Sequence, residues 1–433
     1  MGRVDLQVTP SVTSGRREVV AGSVGNLVEW YEFALFGAFA TPIAATFFPE
    51  ADAARSLLTV FGVFGLAFVM RPFGALLFGH LGDRVGRRHV LVATLGLMAV
   101  ATAGIGLVPS HARVGVVAPV LVIVLRSVQG VAIGGEFGGS ASLVVEGVEP
   151  RHRGWYGGWH WATTGAGLAI GIAAGALVGM IPASSPAAAW AWRVPFLVAL
   201  PLGVVGLVVR TRVDDSAAFR DLRATGRLAR RPLRDALEQS RPQLAVGFTT
   251  VAAAAVTFNL FSVFLPNHLV LHGWMDLPTA LGVAFVTPLL GSATAPWFGR
   301  LSDRVGRRVV VLAGLVGLVA AIPLGLWLAT SGSLAWTLFG FAVVGVPLGC
   351  LSLTAFLAEL FPTPVRHSGI SLSYGLATAI LGGTAPVVAS VLSGQDGGLV
   401  LPGLYGLATV GVAVVVVWRV SSGPGDSTDR LRT

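Results

Sequence analysis

The sequence has no lysine: all 30 of its basic residues are arginines, which excludes lysine Schiff-base and amine chemistry. It has one cysteine, Cys350, set in an apolar run, so neither an internal disulfide nor a cysteine-based metal site can form. Charge is scarce. Only 12% of the 433 residues are charged, half of the roughly 25% typical of a globular domain. By contrast, 54% are hydrophobic and the mean hydropathy is +0.76. Too few polar side chains exist to clothe a water-soluble fold of this size, so the chain belongs in a bilayer. The net charge of +9 then reads as arginine facing the cytoplasmic leaflet, and no nucleic-acid partner is expected. No cleavable signal peptide is expected either. Residues 1–18 are polar, and the first apolar run is too long and holds two glutamates.

What the chain has in quantity is apolar runs of about 20 residues, broken by Gly, Pro and Arg clusters. They predict spans at 19–42, 57–80, 90–109, 115–144, 155–181 and 194–210, then at 243–267, 277–299, 309–330, 334–360, 369–393 and 399–419. The domain plan is a tail (1–18), a six-helix bundle (19–210), a linker (211–242), a second six-helix bundle (243–419) and a tail (420–433). One side of this topology receives most of the arginines, including those of the central connection. The other side receives only Arg55, Arg113 and Arg193. Both termini and the linker are therefore expected in the cytoplasm, which requires an even number of spans.

The chain repeats itself. Asp83-Arg84-Val85-Gly86-Arg87-Arg88 recurs 220 residues later as Asp303-Arg304-Val305-Gly306-Arg307-Arg308, each copy following the second span of its half. Glu146 and Arg153 are echoed by Glu359 and Arg366, both pairs spaced by seven. Two similar six-span halves is the parallel-repeat plan of many secondary transporters. Asp83, Arg84, Arg87, Glu146 and Arg153, with Asp303, Arg307, Glu359 and Arg366, read as a gating latch, Glu146 bridging Arg87 and Arg153. Carboxylate–arginine pairs at such a dry-to-wet boundary outweigh fully exposed ones. The bland alternative is a topogenic arginine cluster with incidental acids.

The loop Gly79-His80-Leu81-Gly82-Asp83-Arg84-Val85-Gly86-Arg87-Arg88 resembles that of the major facilitator superfamily; the second copy differs in having Ser302 where the first has Gly82. Within that superfamily the chain resembles the metabolite:proton symporter family. The resemblance is carried by Gly25–Phe33 (Gly-Asn-Leu-Val-Glu-Trp-Tyr-Glu-Phe), Arg71-Pro72-Phe73-Gly74, Arg126-Ser127-Val128-Gln129-Gly130, Gly134-Gly135-Glu136-Phe137-Gly138, Trp192-Arg193-Val194-Pro195-Phe196 and Phe361-Pro362-Thr363-Pro364-Val365-Arg366. Glu32 stands where that family more often has Asp. The resemblance implies an all-α integral membrane protein of twelve helices in two pseudo-symmetric bundles, the major facilitator fold.

Glu29, Glu32, Arg71, Arg126 and Glu136 fall inside predicted spans. Each would cost about 2.5–3.5 kcal/mol at a lipid-facing midplane, so they should face a cavity or one another. Asn26, Glu29 and Glu32 share one helix face. Burial disfavours a charged carboxylate and a nearby arginine favours it, so an acid whose surroundings change with access can carry a proton. Glu29 and Glu32 are the expected carriers, with Arg126 as modulator or substrate ligand; the alternative makes one acid a structural partner of Arg71 or Arg126. Glu136, about 15 Å along the helix from Arg126, is expected to serve packing. One charge crossing 100 mV is worth roughly 2.3 kcal/mol, enough for about fifty-fold accumulation. Asn26, Arg71, Arg126, Gln129, His160, Asn259 and Tyr374 are the candidate substrate contacts. His160 sits in an aromatic cluster that also reads as an interfacial belt. His268 and His272 lack a third acidic ligand, so no metal is expected.

The expected function is proton-coupled symport of a small organic anion or zwitterion by a cofactor-free, monomeric inner-membrane carrier. The alternative is proton-antiport efflux of an amphipathic metabolite. Absence of proline from the glycine-rich Thr164–Gly171 stretch favours symport, and absence of heptads after the last span argues against an osmosensor. An intramembrane enzyme lacks support: no His-Glu-x-x-His, Gly-x-Ser-x-Gly or nucleotide loop occurs.

Overall fold

A computed structural model describes residues 12–49, 53–182, 184–394 and 398–420. The outer parts of both expected tails, 1–11 and 421–433, lie outside the described residues. Every described element is helical. The spanning helices are α1 (Val12–Ala38), α2 (Gly62–Val85, the apolar part of a helix that starts at Ala53), α3 (Arg87–Leu107), α4 (Val117–Glu146), α5 (Pro150–Gly179) and α6 (Arg193–Thr211). The second half comprises α7 (Arg241–Leu271), α8 (Thr279–Val305), α9 (Arg307–Ala329), α10 (Leu334–Leu360), α11 (Thr363–Ser393) and α12 (Val400–Val420). Eleven of these are long and apolar enough to cross a membrane on length and composition alone. The remaining one, α1, is 27 residues long but carries Asn26, Glu29 and Glu32.

Departures from the expected boundaries follow proline. The first apolar run is two helices: α1 stops at Ala38 and a separate helix, Ala40–Phe47, carries Pro42 in its first turn. Pro42 has no N–H to offer the carbonyl of Ala38, so the ladder breaks there. In α7 a wide π-helical turn, Leu260–Phe264, immediately precedes Pro266; α11 contains a second, Thr378–Gly382. Such turns concentrate at functional sites, and both border the central cavity described below. Between the halves run two short helices, Ala217–Ala224 and Pro232–Gln239, in place of a featureless connection.

The halves meet at the arginine-rich face. There α5 and α8 touch backbone to backbone: a Cβ added to Gly154 would lie 2.2 Å from the Gly299 carbonyl oxygen, and one on Gly299 would lie 2.1 Å from that of Gly154. Only glycine at both positions permits this approach. The duplicated motif also repeats in the backbone, where Gly86 and Gly306 turn the chain at φ 120° and 99°. A contiguous apolar core joins Phe137 and Ala141 of the first half to Leu353, Phe356 and Ile370 of the second.

Candidate functional site

Between the two bundles lies a cavity of about 140 Å³, lined from the first half by Trp30, Phe33, Phe68, Arg71 and Trp161 and from the second by Phe258, Asn259 and Tyr374. It adjoins a wider vestibule of about 550 Å³ toward the arginine-poor face, with which it shares Phe64, Phe68, Asn259 and Val263. His268 and His272, their rings 4.1 Å apart, lie in the vestibule wall. The molecule is therefore open on the arginine-poor side and sealed on the other.

Arg71 is the charged group of the cavity wall. It is 2% exposed, its Nε has no hydrogen-bond partner, and its guanidinium rests over the Phe68 ring at 4.4 Å and the Phe33 ring at 5.4 Å. Tyr374 stacks on Phe137 at 4.1 Å, and Asn259 donates to the Ala255 carbonyl, as a side chain one turn along its own helix can.

Behind Phe33 lies a buried relay. Arg126 Nη1 donates to Gln129 Oε1 (2.9 Å), Gln129 Nε2 donates to Thr102 Oγ1 (2.6 Å), and Thr102 Oγ1 donates to Glu32 Oε2 (2.6 Å). The first pair is an i,i+3 contact on α4, and the relay reaches α1 through α3. Glu32 Oε1 and Arg126 Nε and Nη2 have no partner. Arg126 is otherwise held by aromatic faces, Phe36 at 4.5 Å, Phe64 at 5.0 Å and Phe33 at 5.2 Å, contacts that gain strength when desolvated. Phe33 thus stands between the cavity arginine and the relay arginine. Glu32 and Arg126 are linked without a direct salt bridge, which differs from the structural-pair alternative. Glu29 is buried with Oε2 unpartnered, and it does not line the cavity.

Several expected contacts lie elsewhere. Asn26 Nδ2 faces the His160 carbonyl (3.1 Å), Thr163 Oγ1 (2.9 Å) and Thr164 Oγ1 (3.0 Å), so it bolts α1 to α5 and presents no free donor to a substrate. His160 is fully buried, with Nδ1 3.0 Å from Thr354 Oγ1 and Nε2 3.0 Å from Ser140 Oγ; it pins α5 to α10 and α4 rather than facing the cavity. Gln129 and Arg126 belong to the relay and do not line the cavity wall. Glu136 is ion-paired with Arg210 of α6 and accepts from Thr94 Oγ1 (2.7 Å). Arg210, the last residue of the expected sixth span, is 2% exposed.

The arginine-rich face is fastened by two related clusters. Asp83 accepts from the backbone N–H groups of His367 (3.2 Å) and Ser368 (2.8 Å) at the start of α11; Asp303 accepts from those of Gly154 and Trp155 (2.9 Å each) at the start of α5. A carboxylate complements the positive end of a helix dipole, here that of the opposite half. Glu146 pairs with Arg87 of its own half and Arg366 of the other. Glu359 pairs with Arg307 of its own half (3.2 Å) and Arg153 of the other (3.6 Å). The expected bridge from Glu146 to Arg153 is corrected accordingly: the two arginines have exchanged glutamates across the interface. Arg84 takes no part; it is exposed, with His80 Nε2 3.5 Å away. Ser302, where the two motif copies differ, accepts from Arg307 (2.8 Å).

Among the described residues, the linker covers the Glu146 cluster. Ser216 donates to Glu146, Phe219 packs under Arg87 at 5.4 Å, and Asp215 accepts from the Arg88 N–H (2.9 Å). Thr102, Arg210, Phe33 and Ser216 escaped the sequence reading. A mid-span threonine or phenylalanine looks like packing, and an arginine at a span's edge looks like loop.

Residues 23–386 match the family model described as Major Facilitator Superfamily. The chain is 31% identical over 416 residues to the proline/betaine transporter of Escherichia coli (strain K12), spanning 92% of this chain and 82% of that protein. It is 33% identical over 389 residues to the citrate-proton symporter of Klebsiella pneumoniae, spanning 88% and 86%. Among solved structures, the proton:xylose symporter XylE bound to 6-bromo-6-deoxy-D-glucose superposes with a TM-score of 0.76 at 14% identity, covering 94% of this chain and 95% of that one.

Proposed function

The chain belongs to the Major Facilitator Superfamily, and on that premise we propose that it imports a small organic anion or zwitterion together with protons. It is a multi-pass membrane protein whose relatives are carriers, among them a proline/betaine transporter and a citrate-proton symporter. We place it in the inner membrane with the arginine-rich face and both termini in the cytoplasm, following the positive-inside bias.

The observation that carries the reading is a buried Arg71 in the cavity, one aromatic ring away from Arg126, which leads through Gln129 and Thr102 to the buried acid Glu32. Cargo carboxylate neutralises Arg71 and a proton neutralises Glu32. The anion and the proton together add no net charge, and the loaded halves rock with Arg71 matched in the cavity, whereas the unloaded protein must carry Arg71 unpaired through a dry interface. Proton release toward the cytoplasm restores the carboxylate facing Arg126 through Thr102 and Gln129. Glu29, buried on the same helix face, is the second candidate carrier.

Uptake into vesicles with an imposed inward proton gradient tests this. Glu32→Gln and Glu29→Gln, fixed in the neutral form, are each expected to abolish gradient-driven accumulation and to retain exchange of substrate across the membrane. Unchanged accumulation in both variants refutes the coupling role. Accumulation driven by an outward gradient instead would make the protein an antiporter.

A further inference from the structure

We propose that the substrate is a compact monocarboxylate with an apolar ring or branched body, held by Arg71 through its carboxylate and by aromatic faces around the rest. The proposal rests on the reading of this cavity as the substrate site and deepens it.

The wall favours such a cargo. A volume of about 140 Å³ is close to the roughly 150 Å³ of an apolar cavity that admits benzene. Trp30, Phe33, Phe68, Trp161 and Phe258 line the cavity together with Arg71, and apolar faces reward apolar cargo. Three of the wall's polar groups are committed. Thr287 donates to the Phe341 carbonyl, Thr378 to the Tyr374 carbonyl and Asn259 Nδ2 to the Ala255 carbonyl. Their hydrogens are not available to the oxygens of a polyhydroxylated cargo, and a buried polar group without a partner lowers affinity.

Charge narrows the class further. Arg71 is the single charged residue of the wall. One guanidinium fork matches one carboxylate in bidentate fashion, so the second and third carboxylates of a tricarboxylate would be buried unpaired. A zwitterion's cation would find no carboxylate among the described wall residues, because Glu29 and Glu32 both lie outside the wall, and would rest on aromatic faces alone. Arg71 is pre-organised by its contacts with Phe68 and Phe33, which hold its guanidinium at the cavity wall.

The test is equilibrium binding to the purified full-length protein in detergent, where passive permeation of weak acids is irrelevant. Benzoate, cyclohexanecarboxylate, benzamide, citrate, proline and glycine betaine are the probes. Benzoate and cyclohexanecarboxylate are expected to bind at least tenfold tighter than benzamide, the neutral isostere, and at least tenfold tighter than citrate, proline and betaine. Arg71→Gln is expected to bring the benzoate/benzamide ratio to about one. If that variant fails to fold, the ranking on the unaltered protein still decides. Citrate, proline or betaine binding tenfold tighter than the ring acids overturns the proposal, as does equal binding of benzoate and benzamide. Failure of the symport reading is separately visible. If proline accumulates with inward proton flow, the substrate class falls and symport stands; if ring acids bind but no proton gradient drives accumulation of any probe, symport falls and the class stands.

Discussion

Neutralising Glu146 should unseal the arginine-rich face far more than neutralising Glu359, although the two glutamates occupy equivalent places in the repeat. The Arg87 and Glu146 side chains are 0% and 1% exposed and Arg366 is 11% exposed, whereas Arg153 and Glu359 are 24% and 29% exposed. Removing one partner from a buried ion pair costs about 3–5 kcal/mol, because the other charge is left desolvated; an exposed pair contributes about 0–1 kcal/mol. Arg87 moves with Glu146, so of the glutamate's two ion pairs only the one with Arg366 changes on opening, and the low end of the buried range applies. About 3 kcal/mol corresponds to a shift of about 150-fold in the opening equilibrium, against at most about fivefold for Glu359→Gln. The assay is maleimide labelling of Ser371→Cys, at the sealed contact between α11 and Gly138, in protein whose native thiol is removed by Cys350→Ala. Labelling in nanodiscs should accelerate about a hundredfold or more in Glu146→Gln and no more than about fivefold in Glu359→Gln. Equal acceleration in the two variants, or less than fivefold in Glu146→Gln, would refute the argument that burial sets the strength of each fastening.

Thr102→Val keeps the shape of the relay and removes the hydroxyl joining Gln129 to Glu32; we expect proton-driven accumulation to fall at least tenfold with exchange retained, measured in the same vesicles. Glu136→Gln or Arg210→Met alone should destabilise the first bundle by about 3 kcal/mol by leaving one buried charge unmatched, while the double replacement should recover much of that loss in thermal unfolding.

The span pattern, the duplicated motif and the composition of the latch were legible because each is a local property: apolar length, a six-residue repeat, a Glu and an Arg seven apart. Pairing across the interface was not. Arg153 lies seven residues from Glu146 and Arg366 lies 220 away, yet Arg366 is the partner, because each glutamate ends a helix of one half and the arginine of that half starts a helix that leans on the other. Sequence spacing measures distance along a chain, and the interface reverses its ranking. The same limit hid Thr102, whose role appears only when α1, α3 and α4 converge. The Asn26 amide nitrogen and the His160 ring show the opposite error: polar groups in a span engaged by neighbouring helices rather than aimed at cargo.

That Ser216 and Phe219 cap the Glu146 cluster gives the two seams unequal access to water. Ions and solvent reach Glu359 first, so the face should peel apart from the α5–α8 edge, with the other seam yielding last and acting as the pivot. A carrier built from near-duplicate halves would then open like a door hung on one side, its hinge chosen by a tether that the duplication did not copy.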